Sequence, residues 1–418
     1  MRPTRRELLA LSSALLWAPG LPVRAAEGDS SRKFLFVFAE GGWDQTRLFA
    51  PLFGSSRVDM EAEAVERVVR DLPFVDHPDR PSVRAFLDRY GDRTSFINGF
   101  ECRSVAHDVC LRLAMTGTPM PAADDWPSLI GAATGASLLL PVIQLSGPSY
   151  THLNGSVVVR VGEKGQLPDL ISGEALLRSD QLLTATPVHI EQMEDAFVAE
   201  RVLRRAAEAE RGRAAAMLAR ASEVSERVER VAEAAEALEF GATESLDGGL
   251  ALLIDAFSKG LARCGMVKHV GWQHLGYDSH ADIPQQSRNF EELFAALHLA
   301  MELLESTPGE VSARLADEVT IVVMSEMGRY PLLNARGGKD HWTYTSAILI
   351  GSGVRGGIAV GGYDEQCAGQ RVDLSTGEVS DAGVSMVPDN LGATLLALAG
   401  VDPTEHFPNA APIDALLA

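Results

Sequence analysis

Carboxylate and imidazole side chains follow apolar runs at several points of this sequence, and such groups bind metal ions. The β-branched run 319–325 is followed by Glu326, and a glycine pair then precedes Asp340 and His341. A strand that ends in such groups is where an open α/β sheet builds its ligand site. We therefore expect a metal site at the end of this strand.

Two earlier segments offer further ligands. Asp44 follows a glycine pair behind an apolar run, and Asp278 and His280 stand two residues apart, as in an extended segment that points both to one side. Taken alone, Asp44 could cap a turn and His280 could be a surface histidine. Together these carboxylates and imidazoles suit Zn²⁺ or another divalent cation such as Mn²⁺. We expect one or two divalent ions, with Zn²⁺ as the favoured metal. The expected ligands are Asp44, Asp278, His280, Glu326, Asp340 and His341.

Strand and helix patterns alternate along most of the chain. The predicted strands are 33–39, 94–98, 141–145, 156–161, 266–270, 319–325 and 346–350, and the clearest helices are 82–90, 285–304 and 389–399. Several strands are near-continuous apolar runs, which is typical of strands covered on both faces. The pattern predicts an α/β fold with a doubly wound, mostly parallel sheet in a domain spanning residues 30–418.

Residues 190–240 interrupt this alternation. The segment is dominated by Ala, Glu and Arg, and it contains no proline and one glycine, Gly212. Strong helix formers with interspersed charges predict a helical insertion, either a hairpin or a long bent helix. It could pack against the sheet, or its apolar stripe could serve dimerisation or a partner.

The first 25 residues have the pattern of a signal peptide. Arg5-Arg6 precedes an apolar run through Trp17, and Val23-Arg24-Ala25 offers a small-residue cleavage site. We expect a twin-arginine signal, with a general secretory signal as the alternative, and a periplasmic or secreted mature protein. No later run approaches the roughly 20 apolar residues of a membrane helix, so we expect no integral membrane segment in the mature chain.

The net charge and the cysteine content exclude some kinds of partner and some kinds of site. The formal net charge of −20 repels nucleic acid, and it means that an anionic substrate would need a local cationic site. Four cysteines without a CxxC pattern are too few for a disulfide scaffold or a thiolate zinc site. In an oxidising compartment Cys102 could pair with Cys110, or the thiols could be buried and free.

Five segments carry a resemblance to a known family. They are FLFVFAEGGWDQ, RSVAHDVCLRLAMTGTP, GYDSH, SEMGR and GGKDHW, spread from residue 34 to residue 342. With these motifs the chain resembles the DUF1501 family of exported proteins, which is grouped with the alkaline phosphatase-like superfamily. The resemblance implies the α/β fold of that superfamily and a metal-dependent hydrolase site.

The resemblance also implies an order of ligands. In alkaline phosphatase-like enzymes an Asp after the first strand, an Asp and a His from a later loop, an Asp-His pair and a final His surround two metals. The positions that match this order are Asp44, Asp278, His280 and His341. Ser325-Glu326 stands where the Asp-His pair would be, so one imidazole of a two-zinc centre is missing.

The nucleophile of such enzymes is a Ser or Thr at a helix start, activated by metal. Here Ala106-His107 stands at that point, and Ser104 lies two positions away from Ala106. The candidate catalytic residues are His107 and Ser104, while direct attack by water and a loss of catalysis stay open. Arg329 and Lys339 would help to bind the anionic group, unless they are surface charges.

Two functions of different classes follow. The first is an exported metal-dependent hydrolase whose partner is an anionic small-molecule ester, a phosphate or a sulfate. The second is a non-catalytic exported binding or assembly protein that keeps the fold and acts on an unknown exported partner. The sequence has no GxSxG nucleophile elbow and no GxxxxGK[ST] loop, which argues against a serine hydrolase and a P-loop nucleotide site.

Overall fold

The computed structural model describes residues 31–134, 138–161, 188–208, 218 and 245–418. The predicted signal peptide lies outside these residues, as does most of the predicted insertion 190–240. The described part of that insertion is helical, as its composition predicts. None of the described helices is long and apolar enough to cross a membrane.

Strands and helices alternate along the described chain. The strands are β1 (Lys33–Ala39), β2 (Val65–Val69), β3 (Leu72–Asp76), β4 (Thr94–Glu101), β5 (Val142–Gln144), β6 (Val158–Arg160), β7 (Cys264–His269), β8 (Val319–Met324), β9 (Gly328–Arg329), β10 (His341–Trp342), β11 (Tyr344–Gly351) and β12 (Ile358–Gly361). The helices are α1 (Pro81–Tyr90), α2 (His107–Thr116), α3 (Trp126–Ala132), α4 (Val188–Glu208), α5 (Leu246–Ser258), α6 (Gln285–Ser306) and α7 (Pro388–Leu398).

Within the described residues, eight strands form the main sheet in the order β12-β4-β11-β8-β1-β7-β5-β6. β1 lies at its centre and pairs in parallel with both β7 and β8. β11 runs antiparallel to both of its neighbours, β4 and β8, and the other pairings are parallel. The predicted mostly parallel sheet is therefore confirmed. The two hairpins β2–β3 and β9–β10 form small sheets of their own.

Two hydrophobic cores cover the two faces of the sheet. Successive side chains of a strand point to opposite faces, so Leu35 and Val37 of β1 enter one core, and Phe34 and Phe36 enter the other. Buried residues of α1, α5 and α6 pack on the first face, and those of α2, α3 and α7 pack on the second. This explains why the strands read as continuous apolar runs and confirms the doubly wound architecture.

The sequence patterns predict every strand of the main sheet except β12. They place β7 at 266–270, whereas the observed strand begins at Cys264, because Cys264 and Gly265 pair with both β1 and β5. They also end β4 early, at Asn98, although it continues to Glu101 along β11. β12 is a four-residue strand that ends in a glycine, which gives too weak a pattern to recognise.

The four cysteines are buried free thiols, which is one of the two alternatives considered from the sequence. Burial raises the pKa of Cys102 well above its ordinary value and raises that of Cys110 to about 11. Thiols in this state are protonated and unreactive near neutral pH. They therefore contribute packing rather than chemistry.

Candidate metal centre

The candidate centre lies at the edge of the main sheet where the parallel strands end. His107 follows β4 as the first residue of α2, and Asp278 and His280 lie in the loop after β7. Glu326 lies two residues beyond the end of β8, after Ser325. β11 runs in the opposite direction, so the segment that leads into it and carries His341 reaches the same edge. The topology therefore brings together residues that are far apart in sequence.

Three imidazoles and one carboxylate converge at this edge. His341 Nε2 lies 3.1 Å from His107 Nε2 and 2.9 Å from His280 Nε2. Asp278 Oδ1 lies 3.2 Å from His280 Nε2, 3.3 Å from His341 Nε2 and 3.5 Å from His107 Nε2. Ligands about 2.0–2.2 Å from a tetrahedral Zn²⁺ lie about 3.3 Å from one another. The ligand atoms of His107, Asp278 and His341 all lie within 4.8 Å of one another and have the spacing of a metal site, and His280 Nε2 lies against two of these three.

Each imidazole of the centre is oriented through its Nδ1 atom, which lies within hydrogen-bond distance of an oxygen. The pairs are His107 with Glu326 (2.9 Å), His280 with Asp340 (3.0 Å) and His341 with the carbonyl of Val105 (2.7 Å). A carbonyl or an ionised carboxylate can only accept a hydrogen bond, so each Nδ1 donates. A neutral imidazole held in this way points an Nε2 lone pair inward, which is the arrangement of metal-binding histidines.

The inward lone pairs need a positive charge between them. Nitrogen lone pairs and a carboxylate oxygen that face one another at about 3 Å repel, and either a proton or a cation relieves this repulsion. Hydrogen bonds to Asp278 and to Glu326 raise the pKa of His107 to about 9, so without metal this imidazole holds the proton. A metal must displace that proton, and nitrogen with oxygen ligands suit Zn²⁺ or Mn²⁺.

Arg329 positions Asp278. Burial would raise the pKa of Asp278, but hydrogen bonds from His107 and Arg329 outweigh it and lower the pKa below its ordinary value. The guanidinium of Arg329 is fully buried and also donates to the carbonyls of Gly41 and Gly42. We expected Arg329 to bind substrate, and the structure instead shows it behind the carboxylate that it orients.

Gly41 allows the close approach between β1 and the loop of Asp278. Its φ is +115°, and a Cβ atom there would lie 2.6 Å from the backbone nitrogen of Asp278. Its N–H donates to both carboxylate oxygens of Glu326, at 2.9 and 3.2 Å. Glu326 is thus held by the backbone and holds His107 in turn. We expected Glu326 and Asp340 to be ligands, whereas both lie one step outward, on the Nδ1 side of a histidine.

Asp44 takes a different place from the one expected. Its carboxylate is fully buried, with Oδ2 at 2.9 Å from the ammonium of Lys339 and Oδ1 accepting from the backbone and hydroxyl of Thr46. Burial would raise the pKa of Asp44, but the charges of Lys339 and Arg47 lower it. Lys339 is buried as well, so it is engaged with Asp44 rather than exposed for an anion.

Ser104 lies beside the centre without joining it. Its hydroxyl accepts from the backbone N–H of Ala106, and no hydrogen bond links it to the histidines among the residues that the structure describes. His107, expected as a catalytic residue, instead contributes an inward Nε2 atom. The partner that sequence reasoning missed is the carbonyl of Val105, since a backbone acceptor leaves no signal in residue types.

Several solved structures are similar to this chain at low identity. Lipoteichoic acid synthase LtaP from Listeria monocytogenes is 9% identical with a TM-score of 0.43, covering 94% of this chain and 77% of that chain. A protein in the alkaline phosphatase superfamily from Vibrio parahaemolyticus is 10% identical with a TM-score of 0.36, covering 96% and 76%. A protein solved with its substrate D-glucosamine-2-N,6-O-disulfate is 10% identical with a TM-score of 0.34, covering 92% and 79%. No curated protein matches the sequence.

One family matches the sequence itself. The family, described as a protein of unknown function (DUF1501), matches residues 178–414. This range contains Asp278, His280 and His341, and it begins after His107. Because the match takes in more than half of the chain, the protein belongs to the DUF1501 family, as the motifs of its sequence predict.

Proposed function

We propose that this protein is an exported metal-dependent hydrolase of phosphate or sulfate esters, with Zn²⁺ held by His107, Asp278, His280 and His341. The observation that carries the proposal is the convergence of three Nε2 atoms and one carboxylate oxygen, with each Nδ1 held from behind. A bound Zn²⁺ would polarise an ester oxygen and make water a better nucleophile near neutral pH.

The centre is open enough to admit a substrate. The side chains of His107, His280 and His341 are 32%, 31% and 22% exposed, so one side of the centre faces solvent. α2 starts at His107 without a side-chain cap, which leaves backbone N–H groups free at the positive end of the helix. These groups would orient an anionic ester, a task for which Arg329 and Lys339 are too deeply buried.

Water is the nucleophile that fits this site. Ser325 follows β8 near the centre, but its buried hydroxyl donates to the carbonyl of Ala39 at 2.6 Å and lies 3.1 Å from Glu326. Ala106 stands at the helix start where related enzymes carry a hydroxyl, and Ser104 faces its own loop. The role of the chain is therefore to hold the ion and orient the ester.

We propose one ion rather than two. A second ion would need the carboxylate of Asp44, and the ammonium of Lys339 already lies 2.9 Å from it. Arg47 adds a second positive charge 3.6 Å from the same oxygen. The ammonium of Lys339 thus lies where a second metal ion would have to bind Asp44. Elemental analysis of purified protein should give one metal per chain, and two per chain would contradict this assignment.

The test combines metal content with turnover. Wild-type protein, reconstituted with Zn²⁺, is assayed with p-nitrophenyl phosphate and p-nitrophenyl sulfate. The double variant His280→Ala with His341→Ala should lose bound metal and hydrolysis together. His406→Ala removes an exposed imidazole elsewhere and should change neither. A wild-type protein that binds no Zn²⁺, or hydrolysis that persists in the double variant, would exclude the metal-dependent mechanism.

A non-catalytic binding or assembly protein is the second candidate. Four protein ligands can complete a tetrahedral shell, as they do in structural zinc sites, whereas catalytic sites keep a position open. The absence of a hydroxyl at Ala106 points in the same direction. Zn²⁺ bound at one equivalent without turnover of any ester would favour this function over hydrolysis.

We also propose that export uses the twin-arginine route, on the basis of Arg5-Arg6 and the short apolar run behind them. The receptor for that route reads the arginine pair itself rather than positive charge. Replacing both arginines by lysine should leave precursor in the cytoplasm. Unchanged export would assign the segment to the general secretory route.

A further inference from the structure

A cavity with both polar and apolar walls lies beside the loop that carries Asp278. It has a volume of about 310 Å³ and lies at the carboxyl end of β7. Its walls come from β7, from the turn that follows it, from the start of α5 and from α6. The lining residues that carry the argument are Lys268, His269, Gln273 and Glu292, with Leu246 and Val267 as apolar walls.

His269 presents an unpaired nitrogen to this cavity. The residue is only 2% exposed, and its Nε2 is a buried polar atom without a hydrogen-bond partner. Leaving a buried polar group without a hydrogen bond is unfavourable, so an atom of this kind calls for an explanation. A ligand in the cavity would provide one.

The hydrogen bonds behind His269 show which ring nitrogen carries the proton. The hydroxyl of Tyr277 donates to the carbonyl of Asn289 at 3.3 Å. Its oxygen therefore accepts from His269 Nδ1, which lies 2.8 Å away. With the hydrogen on Nδ1, the Nε2 of the neutral ring is an acceptor. The group that faces the cavity is thus a lone pair.

A carboxylate faces the same space. Glu292 Oε2 lies 3.8 Å from His269 Nε2, too far for a hydrogen bond between them but close enough for one donor to reach both. A glutamate side chain is ionised near neutral pH, so Glu292 presents an anion to the cavity. Lys268, the cation on the wall, lies 3.1 Å from Glu40.

We propose that this cavity binds a small organic ammonium, with the N–H groups of the ligand donating to His269 Nε2 and to the carboxylate of Glu292. An ammonium has several donors and no acceptor, so it satisfies two acceptors at once, whereas a hydroxyl satisfies one. The net charge of −20 also favours a cationic ligand. This site is separate from the metal centre, and the proposal does not depend on hydrolysis.

The turn that lines the cavity is strained in a way that suits a ligand site. Gln273 and His274 both have positive φ, 53° and 62°, which side chains other than glycine adopt at a cost. The turn is held at Gly276 by the side-chain amides of Gln285 and Asn289. Two residues beyond Gly276, the same loop supplies Asp278 to the centre.

The experiment is calorimetric titration of the full chain near neutral pH with 2-aminoethanol, and with 1,2-ethanediol as the uncharged control of similar size. We expect saturable binding of 2-aminoethanol alone. Glu292→Gln keeps the size of the side chain and removes its charge, so it should weaken binding about tenfold or more. Glu302→Gln, on the same helix but paired with Arg89, is the matched control and should bind as wild type does.

A second variant tests the other acceptor, and the metal-centre variant tests whether the amine binds elsewhere. His269→Asn retains a donor for Tyr277 while removing the Nε2 acceptor, and it should weaken binding as Glu292→Gln does. The amine could also bind at the metal centre, in which case the variant His280→Ala with His341→Ala would abolish binding and Glu292→Gln would not. That result, equal binding of 1,2-ethanediol, or no saturable binding by wild type would each overturn the proposal.

Discussion

The three histidines of the centre differ in what holds their Nδ1 atoms. Glu326 is almost fully buried and the carbonyl of Val105 is part of the backbone, so His107 and His341 have rigid supports. His280 is held by Asp340, whose side chain is 59% exposed. The support of His280 is therefore the one that can be removed without disturbing the core.

Asp340→Ala should weaken metal binding while leaving the fold intact. Removing a carboxylate that orients a ligating histidine typically costs about 10–100-fold in metal affinity. The measurement is competition for Zn²⁺ with a chromogenic chelator. Asp282→Ala, an exposed carboxylate two residues beyond His280, is the control and should leave the affinity unchanged. Equal affinities of the two variants would mean that Asp340 does not orient His280.

At the scale of residues, the sequence predicts which side chains lie near the centre. It predicts less well which role each of them has there. Asp278, His280 and His341 follow strands and glycine turns, so their convergence follows from residue types and topology. Asp44 and Lys339 pair because two distant loops cross, and no local pattern records that contact. The roles of these two residues therefore differ from the expectation, although both were identified.

At the scale of elements, the GGKDHW segment approaches the loop of His280 at a glycine. A Cβ atom at Gly338 would lie 2.1 Å from the backbone carbonyl carbon of His280. Gly338→Ala should therefore separate the two loops, lowering the free energy of unfolding by about 1–3 kcal/mol and weakening Zn²⁺ binding. Denaturant unfolding and metal competition measure the two effects.

Gly54 is the matched control for this substitution, because a Cβ atom there would meet nothing within 4 Å. Gly54→Ala should change the free energy of unfolding by no more than about 0.5 kcal/mol. If Gly338→Ala were as mild as Gly54→Ala, the close contact between the two loops would not constrain the centre.

The cap of α3 predicts a pH dependence of stability. Asp125 is 2% exposed and accepts from the backbone of Ser128 at 2.9 Å and of Tyr150 at 2.7 Å. Burial raises the pKa of Asp125 from 3.8 to about 6, although these hydrogen bonds lower it. Its contribution to stability is therefore complete below pH 3.8 and is lost as the pH rises through about 6.

Urea unfolding across this pH range should show the effect as a difference between wild type and Asp125→Asn. The free energy of unfolding of wild type relative to the variant should fall by about 3 kcal/mol between the two limits, since one pKa unit corresponds to about 1.4 kcal/mol. A difference that stays constant with pH would mean that the folded protein does not disfavour the charged carboxylate.

Elements were easier to predict than sites because each strand repeats one physical signal. Buried strands such as β1 and β8 are apolar along their whole length, so the pattern survives without knowledge of their neighbours. β9 and β10 are two residues long, and they form only because the turn between them brings them together. Such short pairings depend on tertiary contacts and cannot be read from the sequence alone.

At the scale of the whole molecule, the centre joins segments that are distant in the chain. His107 comes from the chain after β4, Asp278 from the loop after β7 and His341 from the segment before β11. These proposed ligands meet only when the sheet has formed, so an ion that binds all of them binds the folded state and not the unfolded chain. Metal binding at this centre must therefore raise the free energy of unfolding.

The free energy of unfolding of wild type should rise by about 1.4 kcal/mol for each tenfold increase in Zn²⁺ above its dissociation constant. His406→Ala should follow wild type, and His280→Ala with His341→Ala should show no rise. The double variant also controls for weak binding to an acidic surface of net charge −20, which it retains. Mg²⁺ should have little effect, since imidazole ligands favour Zn²⁺. Stabilisation of the double variant equal to that of wild type would place the bound ion on the surface and not at the edge of the sheet.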